Sequence, residues 1–103
     1  MKYLIITAVR EFEKDIKAIL KTAGVNGFTF MEVTGHRDPS DEPLQGNWFA
    51  SDKHEVQSLL FYVMAKNKNV DLVFEGIKIF NEAQASGSRV HVAMFNVEKS
   101  NES

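Results

Sequence analysis

Two stretches of this sequence carry side chains able to do chemistry. His36, Arg37, Asp38, Asp41 and Glu42 open the first, and Asp52, His54 and Glu55 close it. Imidazole and carboxylate together suit zinc, copper or nickel, so His36 and His54 are candidate metal ligands. The plainer reading is a solvated acidic loop, because no His-x-x-x-His spacing supports a metal site. The second stretch, Ser86-Gly87-Ser88-Arg89, joins small residues to a cation. The guanidinium groups of Arg37 and Arg89 match a phosphate in bidentate fashion. Their alternative is a role in surface salt bridges. His91 reads as an inter-strand or interface residue. Catalysis lacks its parts: there is no cysteine, no serine elbow, no Walker loop and no acid–base pair, so the chain is not expected to be an enzyme.

The elements that must position these groups follow from hydrophobic period. Tyr3 to Val9 is apolar apart from Thr7 and rich in β-branched residues, which predicts a central strand buried on both faces. Phe12, Ile16, Ile19, Leu20 and Ala23 then recur at spacings of three and four, predicting a helix from about Glu11 to Ala23 with Gly24 closing it. Gly27 to Thr34 reads as a second strand. His36 to about Glu55 holds both prolines of the chain, Pro39 and Pro43, and many turn formers. A loop of that length in so small a domain is usually functional. It is expected to be mobile from about Arg37 to Glu55, with Trp48 and Phe49 either anchoring it or forming its contact surface.

Val56 to Ala65 predicts a third strand. Val70, Val73, Phe74, Ile77 and Phe80 predict a second helix, capped by Asn69 and ended by Ala85 to Ser88, with Gly76 marking close packing. Asp15 and Asp71 are placed in first helical turns, where the helix dipole favours them. Phe28, Phe30, Phe61 and Phe74 are assigned to the core. Arg89 to Val97 predicts a fourth strand, and Glu98 to Ser103 a polar tail. The order β-α-β-β-α-β is the ferredoxin-like plan of the α+β class: a four-stranded antiparallel sheet with both helices on one face. The strands are apolar on both faces, so the uncovered face calls for a partner, and self-association is the simplest supply.

Composition agrees. The chain has 103 residues, 44% of them hydrophobic, with eight Phe and one Trp, which suits one domain (residues 1–103) with a real core. A formal charge of −2 gives no basic footprint for nucleic acid. The apolar start of the chain is too short for a signal or a membrane span, and the lack of cysteine fits the cytoplasm.

The stretch Gly24-Val25-Asn26-Gly27-Phe28-Thr29-Phe30-Met31-Glu32-Val33-Thr34-Gly35 resembles the P-II signal-transduction family. The shared pattern is a glycine-bounded turn at Gly24 and Gly27, a strand carrying Thr29 and then Glu32-Val33, and Gly35 where the long T-loop leaves. Arg37 falls close to the basic residue that begins that loop. The resemblance covers most of the chain in element order and is specific through Arg37. It implies a homotrimer with inward-facing sheets, adenine nucleotide bound in clefts between subunits, and a T-loop that engages a target such as an enzyme, a membrane transporter or an efflux system. It implies that Thr29, Gly35, His36 and Arg37 line one side of the cleft and that Gly87, Ser88 and Arg89 form its phosphate-holding turn. Asp38, Asp41, Glu42, Trp48 and Phe49 would meet the target.

The chain departs from the family at three points. Its phosphate turn has shrunk to Ser86-Gly87-Ser88-Arg89, the arginines after the last strand are absent, and the loop has no tyrosine to modify. These departures point to a changed ligand preference. The alternative function is a divalent-metal-responsive trimer, like the cation-tolerance proteins or P-II-like proteins linked to metal efflux. A small ferredoxin-like monooxygenase is a third.

Overall fold

The computed structural model describes residues 1–38, 48–50 and 54–101. Four strands and two helices follow in the order β1 (Lys2–Val9), α1 (Glu13–Thr22), β2 (Thr29–His36), β3 (Glu55–Ala65), α2 (Asn67–Ala83) and β4 (His91–Asn96), with a 3₁₀ turn at Arg10–Phe12 leading into α1. The strands form one sheet in the order β2-β3-β1-β4, and every pairing is antiparallel. This is the ferredoxin-like α+β fold that the hydrophobic periods predict.

Alternation along the strands divides the sheet into two faces. Leu4 and Ile6 of β1, with Leu59, Phe61 and Val63 of β3, face the helices and are wholly buried against Ile16, Leu20 and Val73. Tyr3, Ile5 and Thr7 point the other way, beside Met64, Tyr62 and Leu60 on β3 and Phe95, Ala93 and His91 on β4. We call this the open face.

Helix α1 ends in a Schellman motif. The Val25 amide donates to the Leu20 carbonyl at 2.9 Å and the Gly24 amide to Lys21 at 3.0 Å, with Gly24 at φ 84°. A side chain at that φ is strained, which is why the closing residue is glycine. Helix α2 lies against α1 at Gly76, where an added Cβ would stand 2.8 Å from Ile19 Cγ2, so the expected close packing is present.

Several sequence-based expectations shift. Strand β2 runs two residues further toward the loop than predicted, because Gly35 and His36 still find partners in Val56 and Glu55. Helix α2 begins at Asn67 rather than after Asn69. Its N-cap is Lys66 in an extended conformation with no side-chain cap, and the Asn69 side chain instead lies over Gly24. Asp71 therefore falls outside the first turn, whereas Asp15 sits within the first turn of α1. Phe30 and Phe74, assigned to the core, are 38% and 37% exposed. Phe30 sits on the edge strand, stacked on Phe61 with the Lys17 ammonium 4.3 Å above its ring. Strand β4 starts at His91, not Arg89, for a reason that belongs to the site.

Candidate functional site

The residues between α2 and β4 do not join the sheet because their backbone groups are taken elsewhere. The Asn81 side chain grips Val90 twice: its Nδ2 donates to the Val90 carbonyl at 2.9 Å, and its Oδ1 accepts from the Val90 amide at 2.8 Å. The Arg89 amide donates to the Trp48 carbonyl at 3.1 Å. The turn Ser86–Arg89 is thus pinned to α2 on one side and to the far end of the long loop on the other.

That loop end, Trp48-Phe49-Ala50, lies across the end of the sheet on its open face. Trp48 Nε1 donates to Ser58 Oγ at 2.9 Å, and this hydroxyl donates in turn to the Val56 carbonyl at 3.1 Å. Phe49 is buried and meets Trp48 edge-on. Both rings press on Gly35, where a Cβ would stand 2.8 Å from Phe49 Cε1 and 3.1 Å from Trp48 Cζ2. At the other end of the strap a Cβ on Gly87 would stand 2.6 Å from the Ala50 Cβ. Each glycine is needed for close approach: one lets the aromatic pair onto β2, the other lets the turn meet the strap.

The strap brings the root of the loop and the turn before β4 together. The Arg37 amide continues the β2–β3 ladder with a bond to the His54 carbonyl at 2.8 Å, and its guanidinium carbon lies 5.5 Å from the Phe49 ring centre, within reach of a cation–π contact. The Arg89 guanidinium folds back on its own turn, donating to the carbonyls of Ser86 at 2.6 Å and Ser88 at 2.9 Å. An open cleft of about 560 Å³ lies at this end of the sheet and touches the strap at Phe49 and the turn at Ser88, while neither arginine lines it. Val9, Glu11, Thr34, Phe49, Glu55 and Ser88 are among the residues that line it.

Of the residues singled out from sequence, Gly35, Arg37, Trp48, Phe49, Gly87, Ser88 and Arg89 converge within one chain. Thr29 does not join them. It opens β2 at the opposite end of the strand, opposite Tyr62, roughly 20 Å away at the rise of a β-strand. His36 Nδ1 lies 3.7 Å from a Glu55 carboxylate oxygen, an exposed pair, while His54 contributes its backbone carbonyl. No group of three or more metal-ligating side chains comes together among the described residues. His91 stands exposed on β4 beside Thr7. Asp38 belongs to the described loop root, and Asp41 and Glu42 lie outside the described residues, as does most of the segment expected to be mobile. Asn81 and Ser58 were missed by sequence reading. Neither has a motif, and a polar residue within a helical or strand pattern gives no sign of its partner.

No family model and no curated protein matches the sequence. Structure comparison does find similarity. The fold matches that of CPII, described as a nitrogen regulatory PII-like protein from Thiomonas intermedia K12 bound to ADP, AMP and bicarbonate. The TM-score is 0.61 and the identity 20%, over 96% of this chain and 93% of that one. The chain has the PII-like fold. At that identity the similarity speaks for architecture along nearly the whole length of both chains. No helix among the described residues is long and apolar enough to cross a membrane.

Proposed function

We propose that this chain is a PII-like signalling protein and not an enzyme. It binds a small adenine nucleotide where the long loop meets the turn before β4, and it acts on a partner protein through that loop. One observation carries the reading: the Trp48–Ala50 strap draws Gly35, Arg37 and the Gly87–Arg89 turn to one end of the sheet beside an open cleft. A ligand seated there touches both the root of the loop and the turn that holds its far end, so binding changes the surface the loop offers a partner. The solved protein with the same fold was bound to ADP and AMP, which supports the choice of ligand class.

In this reading the chain works as a homotrimer. The open face, with Met31, Tyr62 and Phe95 about half exposed, packs on its counterparts in two further copies, and each cleft lies between neighbours. Thr29 serves the cleft from a neighbouring subunit or not at all. The cleft carries the carboxylates of Glu11 and Glu55 among its lining residues. Repulsion from these favours a ligand of low phosphate charge, AMP or ADP ahead of ATP.

Titration calorimetry with ATP, ADP, AMP and cyclic nucleotides tests the proposal. AMP and ADP are expected to bind at micromolar to submillimolar concentration. Arg37→Ala and Arg89→Ala are each expected to weaken binding by roughly 1.5–3 kcal/mol, as for a charge-assisted hydrogen bond. Absence of any nucleotide binding below millimolar, with zinc or copper bound instead, would replace this reading with the metal one at His36 and His54.

A further inference from the structure

Helix α2 has an apolar stripe that the core does not use. Val70, Val73 and Ile77 are buried, while Leu72 is 54% and Ile79 58% exposed. Residues seven apart lie on one side of a helix, two turns from each other. Between them Gly76 lacks a side chain and rests directly on Ile19. The result is a shallow apolar groove of about 350 Å³ running between α1 and α2, with Ala18 and Thr22 on one flank and Leu72 and Ile79 on the other.

The charges beside this stripe carry opposite signs about its centre. Lys68 stands one turn before Leu72, and Glu82 nearly one turn after Ile79. Asp71 adjoins Leu72, and Lys78 adjoins Ile79. All four side chains are exposed, and none makes an ion pair within the chain among the described residues.

We propose that α2 pairs antiparallel with α2 of a second copy of this chain. A twofold axis passing between the two helices, level with Glu75, sets Leu72 against the partner's Ile79, Lys68 against the partner's Glu82 and Asp71 against the partner's Lys78. The midpoints of the apolar pair and of both charge pairs fall within one residue of each other at Glu75, close to the self-complementarity an isologous contact requires. In a parallel pairing the partner's flank charges fall on the opposite side of the seam, and neither charge pair forms. The notch over Gly76 lets the two backbones approach. Helix α2 has 17 residues and is about 25 Å long. With α1 beside it, the layer offers a footprint of roughly 500 Å² per copy, about 1,000 Å² in all, the lower bound for a specific interface. The contact is therefore reversible. It lies on the helix layer, opposite the open face of the sheet, and so does not depend on the trimer proposed above. Glu75 faces its own copy across the axis and opposes the pairing.

Sedimentation velocity on the full chain, from low micromolar to submillimolar concentration, tests this pairing. The expected result is a concentration-dependent rise in mass above the basal particle: to twice its mass where that particle is a single chain, and beyond twice where it is a trimer, which carries three such faces. Asp71→Lys alone and Lys78→Asp alone are each expected to weaken association about tenfold or more, since every contact occurs twice. The double variant Asp71→Lys/Lys78→Asp restores the opposite signs and is expected to recover association, and Glu75→Gln to strengthen it. Thermal melts of each variant separate lost pairing from lost folding, and these exposed positions are expected to leave the melt unchanged. A wild-type chain that keeps its basal mass throughout overturns the proposal. So does a double variant no better than the single ones.

Discussion

The two faces of the sheet are built from the same strands and meet opposite fates. Toward the helices, Leu4, Ile6, Leu59, Phe61 and Val63 are wholly buried. One residue along, Tyr62 is 44%, Phe95 49% and Met31 50% exposed on the open face. Hydropathy does not separate the two sets. What separates them is cover: two amphipathic helices lie over one face, and a strap of three described residues lies over one end of the other. The chain completes its own core on the helix side, and on the open side it leaves apolar surface of the kind other molecules bind.

The helix side is most sensitive at Phe61, whose ring sits within 5.6 Å of both Phe28 and Phe30, centre to centre. Phe61→Ala is expected to cost about 3–5 kcal/mol in urea unfolding, the range for a truncated core aromatic. Tyr62→Ala, its neighbour on the open face, is expected to cost under about 1 kcal/mol in dilute solution while lowering association at high concentration. Equal costs for the two in dilute solution would mean the open face is already covered within one chain. A middle-sized effect is expected at Gly35. Gly35→Ala drives a methyl into Phe49 and Trp48, costs about 1–3 kcal/mol as overpacking does, and frees Trp48 from Ser58. A red shift of Trp48 fluorescence reads that release, and an unshifted spectrum would show that the rings have room to move aside. The smallest effect is at Thr7, whose hydroxyl is buried on the open face with no hydrogen-bond partner among the described residues. Thr7→Val removes that unsatisfied group at nearly constant shape and is expected to raise stability by up to about 1 kcal/mol in the same unfolding assay.

Much of this architecture was legible in the sequence. The change from the unbroken apolar run of β1 to the three-and-four spacing of Phe12, Ile16, Ile19 and Leu20 marks a strand followed by a helix. Gly24 marks where that helix stops. Strand β4 begins two residues later than its residue pattern predicts, because backbone bonds, not residue types, decide where a strand begins. Arg89 and Val90 have strand-like neighbours, but their amides are claimed by Trp48 and Asn81. Phe74 lies outside the core that its spacing predicts, because a stripe of five residues spans more of the helix surface than the core can cover. At the candidate site, the sequence offered the glycines, the arginines and an anchoring role as one of two readings for Trp48 and Phe49, but not the contacts with Ser58, Gly35 and Arg89 that gather them. That gathering joins residues around Gly35 to residues around Gly87, a distance along the chain at which local pattern carries no information. Thr29 shows the converse. It lies in the motif stretch with Gly35, yet six residues of extended strand separate the two in space.

The place of β1 in the strand order bears on how the chain reaches this structure. It is made first but sits in the middle, flanked by β3 and by β4, and Lys2 pairs with Ala65 on one side and Asn96 on the other. While the chain is being synthesised, this apolar run has no strand partner until Glu55–Ala65 has emerged, and no second one until His91–Asn96 follows. Contacts of such sequence separation make folding slow relative to helical proteins of this size. They also leave Tyr3 to Val9 as the segment most available to wrong partners in the interval.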